Sequence, residues 1–413
     1  MVAVVCVGGG HAAAQVAATL RSRKAADSLT LISDETVVPY QRPPLSKGYL
    51  AGDLDAERLP ILRQSAYDSG GVRVMLGQPA TGIDRSHKRV LLHSGESVAY
   101  DALILATGGR ARRLTCPGAD FSGVHYIRTK GDIDGLKTPF AEARHVVLVG
   151  GGYIGLEAAA VAARAGKHVT VLEAEDRVLK RAVAPAVSAF YERLHADHGV
   201  TIRTGTMVAE ITGDGSATGV TTAAGDHVPA DLVLVGIGME PNSDLAASAG
   251  LTVTPQGIQV DDRCRTSDPA IFACGDVTWH HSAFYDRWMR LESVQNAVDQ
   301  ARVAALGALG EDARYDALPW FWSDQFGLKL QIAGLGEGAD QLVVRGDPDS
   351  RSVAFFYLKE GRLIAADCVA RAAEFMMAKR LISAGIPVDA EALTDDDRPF
   401  KDIATEMLKG AAA

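Results

Sequence analysis

Twice in this chain an apolar strand runs into a cluster of glycines and then directly into an alanine-rich helix. The first copy is VAVVCVGGGHAAAQVAATL, Val2 to Leu20, with Gly8, Gly9 and Gly10 at the turn. The second is VVLVGGGYIGLEAAAVAARAG from Val146, with Gly150, Gly152 and Gly155. A buried-strand pattern that gives way at once to helical periodicity leaves room only for a tight turn, and glycine permits both that turn and close approach of another group to the backbone. The first amides of the following helix lack intrahelical partners and sit at the positive end of its dipole, so each unit is a seat for a pyrophosphate. Two such units imply two dinucleotides. The second carries the full GxGxxG spacing; the first has Ala13 at the third position, where only close helix–sheet contact is required.

The residue that follows the second strand of such a unit selects the nucleotide, because a carboxylate there accepts hydrogen bonds from ribose hydroxyls. In the second unit the strand from His168 to Leu172 ends in Glu173, followed by Glu175 and Asp176. A carboxylate pairs with a free 2′-hydroxyl and repels a 2′-phosphate, so NADH is expected over NADPH, although Lys180 and Arg181 lie downstream. In the first unit Ser28 to Ile32 is followed by Ser33, Asp34 and Glu35. Both acids are candidates, and Ser33 is a candidate for the strand-end position itself.

Between and beyond these units the chain reads as follows. PYQRPPLSKGYLAG, Pro39 to Gly52, is too proline-rich for a helix interior and is expected to form a rigid wall offering Arg42 and Lys47. Residues 72–110 alternate as short strands and return in ALILATGG, a last parallel strand that delivers Ala106, Thr107 and Gly108. Residues 200–235 are again β-like and end in VLVGIG, through Gly238. RTSDPAIFACGDV, Arg265 to Val277, places Gly275 and Asp276 at a carboxyl strand end, where ligands of α/β sheets collect. A helix is expected from about Glu292, with Ser293 and Val294 in its first turn. From Leu318 four alternating stretches predict an antiparallel sheet, and Arg371 to Ala384 a helix stopped by Gly385 and Pro387. Trp320, Phe321 and Trp322 place large rings on both faces of one strand, so one face is expected to lie outside that domain's core.

A length of 413 residues calls for two or three domains, and the formal charge of −9 argues against a general nucleic-acid binder. No stretch has the uninterrupted length of a membrane span, and no basic leader precedes the first strand, so a cytoplasmic location is expected. The five cysteines, Cys6, Cys116, Cys264, Cys274 and Cys368, form no CxxC or CxxxxC pair. No metal site is expected.

Taken with PYQRPPLSKGYL, ATGGRARRL, RTSDPAIFACGDV, RLESVQNAVDQ and PWFWSDQ, the two glycine turns make the whole chain resemble the FAD-dependent NADH:ferredoxin reductases of bacterial cytochrome P450 and Rieske oxygenase systems. The resemblance implies an α/β fold with two Rossmann-like domains and a C-terminal α+β domain. FAD would occupy residues 1–110 and 239–317, NAD residues 111–238, and residues 318–413 would cover the flavin. It implies Lys47 and Glu157 near the flavin N5 and the nicotinamide, Asp276 on the ribityl chain and Trp322 against the isoalloxazine. Those three non-ribityl residues are the catalytic candidates. The candidate cofactor contacts are Gly8, Gly10, His11, Ala12, Ala13, Asp34, Glu35, Arg42, Lys47, Ala106, Thr107, Gly108, Gly150, Gly152, Tyr153, Ile154, Gly155, Glu173, Arg181, Gly238, Gly275, Asp276, Glu292, Ser293, Val294 and Trp322.

The implied reaction is hydride transfer from NADH to noncovalently bound FAD, then single-electron transfer to a [2Fe-2S] ferredoxin, by a monomer or weak homodimer that binds neither nucleic acid nor membrane. Arg287, Arg290, Arg371, Lys379 and Arg380 are the cations available to steer that partner. The related disulfide reductases need a CxxxxC pair where this chain has Arg42 to Lys47, and the single-cysteine peroxidases need a thiol between Cys6 and Cys116, where there is none. A quinone or another one-electron acceptor remains open, as does an apoptosis-inducing-factor-like interaction protein.

Overall fold

The computed structural model describes residues 2–25 and 28–411, which divide into two compact units. The first comprises residues 2–44, 54–110 and 239–317. Its centre is a parallel sheet in the order Ile271–Ala273, Ala102–Leu105, Val4–Val7, Leu29–Ile32, Arg73–Met75. Val4, Val5, Cys6 and Val7 are all buried, as expected of a central strand covered on both faces. Strand order reverses between Val4–Val7 and Ala102–Leu105, and at such a switch point the chain ends diverge and leave a crevice. The helix His11–Ser22 covers one face with Ala12, Ala13, Val16, Ala17 and Leu20. The helix Val294–Ala308 joins the same core through Ala297, Ala301, Ala304 and Ala305. Small side chains on both helices allow close packing, and burying each CH2 equivalent contributes about 0.8 kcal/mol.

The second unit comprises residues 45–53, 111–238 and 318–411. It repeats the design in the parallel order Thr201–Arg203, His168–Leu172, His145–Val149, Leu232–Val235, Val124–Tyr126, with the helix Tyr153–Arg164 after the second glycine turn. The switch point here lies between His145–Val149 and Leu232–Val235. The segment Pro39–Gly52 straddles the two units: a 3-10 turn Pro43–Ser46 leads into the short helix Gly48–Ala51.

The C-terminal part of this unit corrects two expectations. Its antiparallel sheet has five strands, in the order Trp320–Gln325, Leu328–Gly334, Arg362–Val369, Ser352–Lys359, Gln341–Asp347. The stretch read as one strand from Trp320 is a hairpin turning at Phe326 and Gly327, both with positive φ (51° and 78°), the conformation that two-residue hairpin loops require. Ala372–Ala384 is helical and stops at Gly385, at φ 60°, as read; however, it is not the last helix. Ala390–Thr394 and Phe400–Gly410 follow, and the latter buries Phe400, Ile403 and Ala404. Arg345, 2% exposed, holds the intervening loop: its guanidinium donates to the carbonyls of Asp395 and Arg398 and pairs with Glu374 and Asp396.

Candidate functional site

At the first glycine turn, Gly8 has φ +146°, and a Cβ there would stand 2.1 Å from the Ala106 carbonyl oxygen. Gly9 is equally tight, its missing Cβ falling 2.4 Å from Ser33 Oγ, whereas a Cβ on Gly10 would meet nothing within 4 Å. The turn is closed toward the sheet and open on the ligand side. Gly10 caps the helix His11–Ser22 without any side-chain hydrogen bond, unlike Thr129, which forms a full capping box, and Ser293, whose hydroxyl accepts from Asn296 N. A helix start with a bare backbone and an open face is what a pyrophosphate requires, so these residues fit an FAD diphosphate.

Around that turn the strand-end position is Ser33, buried, with its hydroxyl accepting from Glu35 N at 3.2 Å. Asp34 is exposed. Glu35 accepts from Tyr40 OH at 2.6 Å and pairs with Arg42. Arg42 therefore neutralises the acid beside it, a partnership the sequence reading did not anticipate. Thr107 Oγ1 donates to Asn242 O (2.8 Å) and Asn242 Nδ2 to Thr107 O (3.0 Å), locking the strand end before Gly108 to the returning chain. Gln300 Oε1 accepts from Gly275 N (2.9 Å) and Thr278 Oγ1 (2.8 Å), which fixes the turn that carries Asp276. Glu292 pairs with Arg290 at 2.8 Å, just before the helix that opens at Val294. The helix starts two residues later than read because Ser293 is its cap.

The second turn is built on the same plan with different chemistry. Gly150 has φ +104°, and its missing Cβ would lie 2.5 Å from Gly236 O; on Gly155 a Cβ would lie 2.1 Å from Gly150 O. Gly152, the cap of Tyr153–Arg164, has no side-chain bond and nothing within 4 Å of a notional Cβ. The strand-end Glu173 accepts from Gly151 N (Oε2, 2.6 Å) and from Glu175 N (Oε1, 2.8 Å). A carboxylate offers about four lone-pair sites, so the two remaining are available to ribose hydroxyls, and the turn fits an NADH. Ile154 is exposed, and Arg181 lies 3.6 Å from the position a Cβ on Gly238 would take. Lys180 is engaged by Glu175 and Asp176 and is not a free cation for a 2′-phosphate.

Also within this unit, Lys47 Nζ and Glu157 Oε2 meet at 2.7 Å, with side-chain exposures of 20% and 4%. Glu157 Oε2 accepts further from Ser46 Oγ (2.5 Å) and Oε1 from Ser323 Oγ (2.6 Å). Removing one partner of so buried a pair strands the other charge, a loss of about 3–5 kcal/mol. Lys47 was read as a cation offered by a rigid wall; in the folded chain it is half of a neutral pair. Trp322 is half-buried and its ring neighbours are Trp320 (5.7 Å) and Phe321 (6.3 Å), while Phe321, on the opposite face, meets Tyr153 at 4.7 Å. Tyr40 and Ser46 lie within PYQRPPLSKGYL and Ser323 within PWFWSDQ, but none of the three is among the expected site residues.

All five cysteines are free, and only Cys116 is not fully buried. Burial raises the pKa of each, Cys6 to about 12, and thiols held protonated do not relay electrons. Among the described residues there is no cluster of His, Cys, Asp and Glu fit for a metal and no helix long and apolar enough to cross a membrane. Of the cations considered for partner steering, Arg371 is engaged by Glu374 and Asp396, and Lys379 lies 5.2 Å over the Trp320 ring.

Residues 2–301 match the pyridine nucleotide-disulphide oxidoreductase family, and residues 320–404 the reductase C-terminal family. The chain is 44% identical over 400 residues to the 5,5'-dehydrodivanillate O-demethylase ferredoxin reductase subunit of Sphingobium sp., covering 96% of this chain and 97% of that one. It is 43% identical over 406 residues to putidaredoxin reductase of Pseudomonas putida, covering 97% and 96%. The reductase in the crystal structure of the covalent putidaredoxin reductase-putidaredoxin complex superposes with a TM-score of 0.94 at 42% identity, covering 98% of each chain.

Proposed function

Because this chain belongs to the pyridine nucleotide-disulphide oxidoreductases, as an FAD-dependent NADH:ferredoxin reductase of the putidaredoxin reductase family, we propose that it passes electrons from NADH one at a time to a [2Fe-2S] ferredoxin serving a P450 or Rieske-type oxygenase. The observation that carries the reading is the pair of open, uncapped glycine turns in one chain, each closed toward its own sheet. FAD, when bound, would supply the redox chemistry that the buried thiols do not: it accepts a hydride and returns single electrons.

The chain's own residues bind and orient. Gly8 to Ala13 and the helix His11–Ser22 hold one pyrophosphate, with Asp276 and the start of Val294–Ala308 on the same sheet end. Gly150 to Gly155 hold the other, and Glu173 takes the adenosine ribose while repelling a 2′-phosphate. Lys47, held by Glu157 at a fixed position, supplies a cation whose charge is balanced until negative charge develops beside it. Hydride transfer needs such positioning more than acid–base catalysis. With a net charge of −9, attraction of an acidic ferredoxin rests on local cations, for which Lys379, beside Trp320, and its sequence neighbour Arg380 are our candidates.

Anaerobic mixing of the holoenzyme with NADH and a [2Fe-2S] ferredoxin tests this: the ferredoxin's visible absorbance should bleach by two equivalents per NADH. Rapid turnover with quinones and none with any [2Fe-2S] protein would assign another acceptor.

A further inference from the structure

Behind the Lys47–Glu157 pair stands a line of buried polar groups whose protons can be placed by elimination. Glu157 pairs with Lys47 as a carboxylate and has no proton to give, so Ser323, 2.6 Å from Oε1, must donate its only one to Glu157. Ser323 Oγ is then left to accept, and its remaining neighbour is Gln325 Nε2 at 3.1 Å. That orients the Gln325 amide, with Oε1 turned toward His195 Nε2 at 2.8 Å; an amide oxygen only accepts, so His195 must carry its proton on Nε2. Ser323, Gln325 and His195 are 0%, 1% and 0% exposed, so water has no access to substitute for any member. Among the described residues His195 Nδ1 has no partner, which suits the bare acceptor nitrogen of a neutral ring and would strand an N–H in a charged one. Burial correspondingly lowers the imidazole to about 4.

We propose that His195, Gln325 and Ser323 are positioning residues for hydride transfer: a line of hydrogen bonds, all donating toward Glu157, that holds this carboxylate and through it Lys47 in register. The line starts in the last turn of the helix Pro185–Asp197, where Phe326 meets the imidazole edge-on at 4.9 Å, and ends in the helix Tyr153–Arg164. It rests on the reading of Lys47 and Glu157 given above, but the tautomer it requires does not depend on which protein accepts the electrons. The other titratable groups facing the line are Lys47, Tyr153 and Tyr191 around Glu157, and His198 beside His195.

Nitrogen-15 NMR of the full-length protein, with and without its flavin, should find His195 neutral and protonated on Nε2 across pH 5–8. A ring protonated on Nδ1, or an imidazolium at pH 7, would overturn the proposal in the unsubstituted protein. His195→Phe keeps the ring packing but removes the donor that fixes the Gln325 amide, so the end of the line is no longer held. Gln325→Glu, an acceptor at both ends, competes with Glu157 for the single Ser323 proton without changing volume. Both should slow flavin reduction by NADH about tenfold and shift its pH profile, with KM for NADH and flavin content unchanged. Lower thermal stability with a wild-type rate and pH profile would mean the line is only structural, and would overturn the proposal as well. Normal flavin reduction and the expected tautomer in a protein that reduces no ferredoxin would count against the acceptor assignment alone.

Discussion

At the first glycine turn the third position is Ala13, fully buried with its methyl accommodated; at the second it is Gly155, where a methyl would stand 2.1 Å from the Gly150 carbonyl oxygen. The strand-end slot differs too. Ser33 fills it with a neutral hydroxyl in the first unit, and the nearby acid, Glu35, is neutralised by Arg42. Glu173 fills it with a carboxylate in the second, bonded to Gly151 N, and among the described residues no cation pairs with it. Both units share the strand, the uncapped helix and the inward-facing glycine of positive φ. In the function proposed above, the shared parts grip a pyrophosphate and the parts that differ select the nucleotide.

Substitutions that exploit this difference should separate the two sites. Gly8→Ala combines a left-handed φ with a collision against the Ala106 carbonyl, and should abolish FAD incorporation, read as loss of the flavin spectrum from purified protein. Gly155→Ala forces the second turn open and, at about 1–3 kcal/mol of overpacking, should raise the KM for NADH roughly tenfold or more while leaving flavin content intact. Equal loss of flavin in both variants would show that the turns are not independent. Glu173→Ala removes ribose hydrogen bonds and the repulsion of a 2′-phosphate, and also frees Gly151 N; the ratio of kcat/KM for NADH over NADPH should fall about tenfold, chiefly through weaker NADH binding. The smallest effect is expected at the tolerant position: Ala13→Gly should cost about 1 kcal/mol of stability by denaturant titration, from helix propensity, with FAD still bound. If Ala13→Gly disturbed flavin binding as much as Gly155→Ala disturbs NADH, the contrast between the turns would fail.

Legibility from sequence followed the range of the interactions. The turns, their strands and the helix stop at Gly385 were readable because each depends on neighbours in the chain, whereas Ser293, expected inside the first turn, is the cap of a helix that starts at Val294. The helix Phe400–Gly410 has its apolar spacing in the sequence, at Phe400, Ile403, Ala404, Met407 and Leu408, and was not among the expected elements. The hairpin at Phe326–Gly327 was missed for a different reason: a two-residue turn between apolar runs leaves little mark when only one of its residues is glycine. Glu157 was named only through family likeness, whereas Lys47 was offered by the proline-rich wall itself, and nothing near either one discloses their pairing.

The sequence by itself determined the two strand–glycine–helix units for FAD and NAD(H), and it already contained the carboxylate on which the proposed preference for NADH rests, because these features depend on a strand, a few glycines and one acid within about thirty residues. The fate of each charge was decided only in the tertiary structure. Arg42 and Lys47, five positions apart in one loop, end on Glu35 in one unit and Glu157 in the other. Ser46, Glu157, His195, Ser323 and Gln325 come from four separate stretches of chain, and their protons acquire definite places only when burial removes water as the alternative partner.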